Sequence, residues 1–315
     1  MNALVDAALP HRVDGDGRTT VSLAELIASD ARIGRARLAS VQSRSERSGQ
    51  QSSRLYGRGM DYAESRAYQQ GDDVRRMDWR LTARSGRLHT KLYQEEREGR
   101  LLILLDTHAS LRFGTRARFK SVQAARAAAV AAWLAVRAGE RVGMMAFGRH
   151  DRLLRPQGGA HGALAVCGAL AEWDALPPSE RAEPLSAALL RARRLQNGAS
   201  RVLLLSDGFS ADAEARQHLL ELKARAGIGV LVLADALERE LPPPGRYPLE
   251  HAGERREVVL LGERQRREFR QALGTGPARL EALARSAGLR CCVLDTRDDP
   301  LPLVAELMGA TGMRR

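Results

Sequence analysis

Leu101-Leu102-Ile103-Leu104-Leu105-Asp106-Thr107-His108-Ala109-Ser110 is the run that decides the fold. Five aliphatic residues in a row, with no polar alternation, mark a strand buried on both faces, as in the centre of a parallel sheet. The aspartate closing the run then falls at a strand's carboxyl end, where open parallel sheets bind ligands. Downstream the pattern repeats. An Ala-rich helix is predicted over 116–138, then strands at RVGMMAFG (141–148) and DRLLRP, and helices over 159–175 and 184–196. RVLLLSD (201–207), a helix over 211–226 and the strand GIGVLVLAD (227–235) follow. A Pro-rich connection, PPPGRYP, leads to the strand REVVLLG, helices over 262–287, the strand LRCCVLD (289–295) and a closing helix. Such alternation implies right-handed βαβ units: an α/β, doubly wound, mostly parallel sheet of Rossmann type.

Upstream, residues 1–20 read as a loose polar tail. Residues 21–41 read as an amphipathic N-terminal helix with Ser22 as a possible cap. A polar linker precedes an Arg/Asp-rich segment, and RLHTKLYQ (87–94) alternates like a strand that Glu98-Gly99 would turn back into 101–106. The expected organisation is thus a tail (1–20), a helix–linker–signature region (21–96) and an α/β domain (97–315).

The signature region is dense in rigid charged groups. Gly57, Gly59, Tyr62, Arg66, Tyr68, Gly71, Asp72, Asp73, Arg75, Asp78, Trp79, Ala83 and Arg84 recur at a specific spacing. Arg–carboxylate forks are planar and directional, so such a cluster fixes backbone geometry or offers a docking surface. On the first reading Trp79 is buried, and removing its indole costs roughly 3–5 kcal/mol. On the second, Asp72 and Asp73 are free for a partner.

This spacing resembles the bacterial family called domain of unknown function 58. The resemblance implies a von Willebrand factor A-like domain, and partners among MoxR-type AAA+ ATPases and other von Willebrand A proteins. It also directs attention to a metal-ion-dependent adhesion site, in which an Asp-x-Ser-x-Ser loop, a Thr and a further Asp surround Mg²⁺ with oxygen ligands. Here Asp106 and Ser110 are kept, His108 replaces the first serine, Glu183 stands at the threonine position, and Asp207 is the third-loop acid. Two readings stand. Asp106, Ser110 and Asp207, with Glu183 and His108 nearby, hold Mg²⁺ or Mn²⁺; or the acids cap following segments and an arginine or protonated His108 neutralises the pocket.

Composition narrows the rest. The 315 residues carry a net charge of +12, but only Lys91, Lys120 and Lys223 are lysines. An anionic partner suits that balance, yet aromatics are 4% and no nucleic-acid-reading module is visible. Three cysteines without metal spacing fit a reducing compartment. The first ten residues lack a signal-peptide pattern and no apolar run reaches membrane-spanning length, so a cytoplasmic location is expected. No phosphate-binding loop or nucleophile elbow occurs. The expected function is a non-enzymatic adaptor or assembly factor serving an ATPase. The alternatives are a metal-dependent phosphoester hydrolase, or a binder of nucleic acid or anionic surfaces through clusters such as Arg191, Arg193, Arg194 and Arg264, Arg266, Arg267.

Overall fold

The computed structural model describes residues 14–34, 37–38, 60–95, 99–177, 182–195, 201–251 and 254–311. Two compact units emerge, one formed by 1–42 with 99–315 and the other by 43–98. In chain order, the larger unit begins with α1 (Leu23–Ile33) and β1 (Arg37–Leu38). The smaller unit holds β2 (Met60–Ala67), α2 (Trp79–Ser85) and β3 (His89–Glu95). The larger unit resumes with β4 (Arg100–Asp106), α3 (Lys120–Arg137), β5 (Arg141–Phe147), β6 (Arg152–Gln157), α4 (Gly159–Asp174), α5 (Leu185–Leu195) and β7 (Arg201–Ser206). It continues through α6 (Ala215–Lys223), β8 (Gly227–Ala234), α7 (Ala236–Arg239), β9 (Gly245–His251) and β10 (Glu254–Leu260). It closes with α8 (Glu263–Leu273), α9 (Thr275–Ser286), β11 (Arg290–Asp295), α10 (Pro300–Met308) and β12 (Ala310–Thr311).

Six strands form the main sheet in the order β11-β8-β7-β4-β5-β6, parallel except for the edge strand β6. β4 lies centrally, and its alternate residues feed two separate cores. Leu101, Ile103 and Leu105 pack with buried residues of α1, α3, α4 and α10, whereas Leu102 and Leu104 pack with α5, α6 and α9. An unbroken aliphatic run is what a strand covered on both faces requires. The fold is therefore the doubly wound, von Willebrand A-like α/β architecture expected from the sequence.

Four local expectations give way. The N-terminal helix belongs to the large unit rather than to a region shared with the signature: Leu26 and Ile33 are buried there, and Trp133 Nε1 donates to the Leu26 carbonyl at 3.3 Å. Residues 14–20, read as loose, form a loop in which the Asp16 carboxylate accepts the N–H groups of Arg18, Thr19 and Thr20. The strand at 87–94 does not turn back into 101–106; β3 pairs antiparallel with β2, inside the small unit. The connection GRYP is the start of β9, which pairs with β10 as a separate two-stranded sheet.

Candidate functional site

At the carboxyl end of the sheet, β4 and β7 are neighbours, and their terminal acids converge. Asp106 ends β4 and is buried. Its Oδ1 accepts the backbone N–H of His108 at 2.9 Å and His108 Nδ1 at 2.6 Å. Its Oδ2 accepts the hydroxyls of Ser206 at 2.6 Å and Ser210 at 3.0 Å. The Asp-x-His spacing lets an imidazole fold back onto its own carboxylate. Gly148, with φ near +97°, leaves the room, since a Cβ there would lie 2.5 Å from His108 Nδ1. His108 Nε2 then accepts the Glu183 N–H at 3.2 Å. Burial holds the imidazole's proton affinity down, but the bond to Asp106 and the charges of Asp106, Asp207 and Glu183 outweigh it, so its pKa lies above the ordinary histidine value.

Asp207, fully buried just past β7, faces a lysine. Lys120 Nζ donates to Asp207 Oδ2 at 2.9 Å and to Glu238 Oε1 at 2.7 Å, while lying 5.6 Å and 5.4 Å from the ring centres of Phe113 and Phe209. The ammonium is only 1% exposed. Burial pushes the carboxyls of Asp207 and Glu238 up, and Lys120 opposes that shift; the same two acids hold the lysine's pKa above its usual value despite its own burial. Lys120 is the first residue of α3, where a positive charge opposes the helix macrodipole. The two acids dominate over that weaker penalty.

Glu183, the acid at the threonine position, is buried. Arg191 on α5 grips it with a two-nitrogen fork, Nε to Oε1 at 2.9 Å and Nη2 to Oε2 at 2.8 Å, and also bonds Asp151. Ser110 Oγ is buried with no hydrogen bond in normal geometry, although it lies near enough to Asp207 to favour that carboxylate's charge.

Of the neutralising groups the sequence offered, His108 bonds Asp106 and an arginine, Arg191, bonds Glu183, whereas the lysine at Asp207 was not foreseen. Lys120, Arg191, Glu238, Ser206 and Ser210 were missed or read as ordinary. The available signal was Lys120 itself, a lysine standing ahead of an apolar helix in a chain whose basic residues are almost all arginine. An ammonium is a compact point charge, and here it lies between two carboxylates.

A divalent cation does not fit this donor set. Mg²⁺ or Mn²⁺ takes octahedral oxygen ligands, of which one or two are carboxylate oxygens open to the ion. Asp106 already accepts four donors, Asp207 bonds an internal ammonium, and Glu183 is clasped by Arg191. Among the described residues, no group of three or more His, Cys, Asp or Glu side chains is arranged to hold a metal.

In the small unit the signature residues divide into two classes. Asp72 bonds Arg66 Nη2 at 2.7 Å and the Gln69 N–H at 2.9 Å, closing the turn that contains Gly71. Asp73 accepts the Arg75 N–H. Asp78 caps α2 through the Leu81 N–H and takes the Ser65 hydroxyl at 2.8 Å. Each of these three acids makes hydrogen bonds within the small unit. Trp79, expected to be buried, is 64% exposed on a helix that buries none of its side chains. Gly57 and Gly59 lie outside the described residues.

Over residues 64–281 the chain matches the family described as "Protein of unknown function DUF58". The chain belongs to that family. Uncharacterized proteins of Mycobacterium tuberculosis and Mycobacterium bovis are each 31% identical to it over 197 residues, 62% of this chain and 62% of theirs. The chain thus spans less than two thirds of the length of those relatives. Among solved structures, an aerotolerance-related membrane protein from Bacteroides fragilis aligns with a TM-score of 0.44 at 14% identity, covering 66% of this chain and 96% of that one. BatB from Bacteroides thetaiotaomicron aligns with a TM-score of 0.41 at 16% identity, covering 67% and 97%. In this DUF58 chain, no helix among the described residues is long and apolar enough to cross a membrane.

Proposed function

We propose that this DUF58 protein is a non-enzymatic interaction platform, whose small unit docks an AAA+ ATPase of MoxR type through Trp79 and its surroundings. One observation carries the reading: α2 is only seven residues long, buries nothing, and presents a large aromatic to solvent. So short a helix is marginal in isolation. Its ends are nevertheless fixed, by Asp78 at one and by left-handed Gly86 at the other. Val74, Leu81 and Leu88 are exposed as well, as are Arg75, Arg80, Arg84 and Arg87. Trp and Arg are the residues most enriched at interface hot spots, and the excess of arginine suits an acidic partner face.

The alternatives have less support. A hydrolase built on Asp106, Asp207 and Glu183 would need acids that His108, Lys120 and Arg191 already bond. Of the arginines singled out for nucleic acid, Arg193 is paired with Glu221, Arg264 with Glu268 and Arg267 with Glu263. The test is co-purification and ATPase assay of the wild-type protein and Trp79→Ala with a MoxR-type ATPase. The variant should melt as the wild type does, since exposed substitutions usually change stability by less than about 0.5 kcal/mol. Its affinity for the ATPase should fall about thirtyfold, the equivalent of the ~2 kcal/mol of a hot-spot anchor. Wild-type binding that Trp79→Ala leaves unchanged would contradict the docking role.

A further inference from the structure

Where α8 meets α9, against α7, lies an open groove of about 660 Å³. One arginine from each helix lines it: Arg239 of α7, Arg270 of α8 and Arg279 of α9. All three are exposed. Arg279 donates to the Ala211 carbonyl at 3.3 Å, a neutral partner that leaves its charge uncompensated. Among the described residues, Arg239 and Arg270 make no side-chain hydrogen bond, and none of the three is paired with an acid. A guanidinium cannot be deprotonated in a protein, so these are permanent cations. The acids of the lining are engaged elsewhere. Glu238 uses both oxygens internally, Oε1 for Lys120 at 2.7 Å and Oε2 for the Asp235 N–H at 2.7 Å, and Glu281 lies 3.9 Å from Arg285. The backbone beneath the arginines is fixed. Gly274 joins α8 to α9 so close to α7 that a Cβ there would lie 2.5 Å from the Glu238 carbonyl oxygen. Its N–H donates to the Arg270 carbonyl at 2.8 Å, and Thr275 Oγ1 donates to the Gln271 carbonyl at 2.9 Å. A groove held in this way needs little backbone reordering when a ligand enters.

We infer that this groove docks an acidic segment of a partner protein, whose carboxylates meet Arg239, Arg270 and Arg279. A space of this size takes a group much larger than one small anion. The planar guanidinium fork matches a carboxylate with two parallel hydrogen bonds. No aromatic ring lines the groove, so the bases of a single-stranded nucleic acid find nothing there to stack on. The groove belongs to the large unit, and the inference stands whether or not Trp79 docks an ATPase.

The test is fluorescence anisotropy of the full chain at about 0.1 M salt, with fluorescein-labelled hexaglutamate against labelled hexaglutamine. Hexaglutamate should bind, less tightly as salt rises, and hexaglutamine at least about tenfold more weakly. Arg239→Gln and Arg270→Gln should each weaken hexaglutamate at least about fivefold. Both variants should melt as the wild type does, because both side chains are exposed. Arg155→Gln removes the same charge from β6, at one edge of the main sheet, whereas α9 packs on β8 and β11 towards the other. It should change the affinity less than about twofold. Trp79→Ala should bind hexaglutamate as the wild type does, separating this groove from the ATPase surface. Equal binding of the two peptides, no binding at millimolar concentration, or a loss in Arg155→Gln or Trp79→Ala equal to that in Arg239→Gln would overturn the inference. So would displacement of hexaglutamate by an equimolar amount of inorganic phosphate, which would make the site one for a single small anion. Tighter, Arg270-dependent binding of oligothymidylate would overturn it in favour of nucleic acid.

Discussion

Lys120 is the residue on which the crevice turns. Its ammonium is almost wholly buried between Asp207 and Glu238, and removing one partner of such an arrangement leaves uncompensated charge in the interior. Lys120→Met should therefore lose about 3–5 kcal/mol in urea unfolding. Adding Asp207→Asn and Glu238→Gln to it should restore much of that loss, because the stranded charges go with the lysine. A mild effect of Lys120→Met alone would show that the acids are not bound to the ammonium in solution. The cysteines test burial from another direction. Burial raises the Cys291 thiol to about 11 and the Cys167 thiol to about 12, and raises Cys292 as well. The thiolate is the reactive form. At pH 8 the folded protein should accordingly react slowly with a disulfide reagent and release three fast equivalents only after guanidinium unfolding. Rapid labelling at pH 8 without denaturant would mean that this part of the structure opens readily.

Among the elements, the central strands were legible because their signal is self-contained. LLILLD (101–106) and VLLLS (202–206) are apolar at every position but the last, and burial on both faces explains that pattern. Partnering was less legible. RLHTKLYQ has the alternation of a strand, but alternation says nothing about which neighbour it pairs with, and β3 chose β2 over β4. Trp79 misled for a related reason: its position between Asp78 and Arg80 suggested a packed centre, whereas Asp78 serves as a helix cap and leaves the indole outside. The N-terminal helix joins the large unit through Leu26, which contributes to the core shared with α3. Leu26→Ala should cost about 2–5 kcal/mol in denaturant unfolding. A loss below about 1 kcal/mol would indicate that α1 is not docked in solution.

For the molecule as a whole, fold and site were read with unequal success. Topology placed Asp106 and Asp207 at the tops of neighbouring strands, a conclusion that needs only strand ends and a parallel order. What neutralises each acid depends on side chains from α3, α5 and the loop after β4, brought together by packing and not by spacing along the chain. Lys120 is 87 residues from Asp207, and nothing local announces their contact. The result is a crevice in which His108 bonds Asp106, Lys120 bonds Asp207 and Glu238, and Arg191 bonds Glu183 and Asp151. Titration calorimetry of the wild-type protein with Mg²⁺, Mn²⁺ and Zn²⁺, alongside Asp106→Ala, tests that pairing directly. The wild type should give no saturable heat that Asp106→Ala abolishes; saturable binding of any of the three ions, lost in that variant, would contradict it.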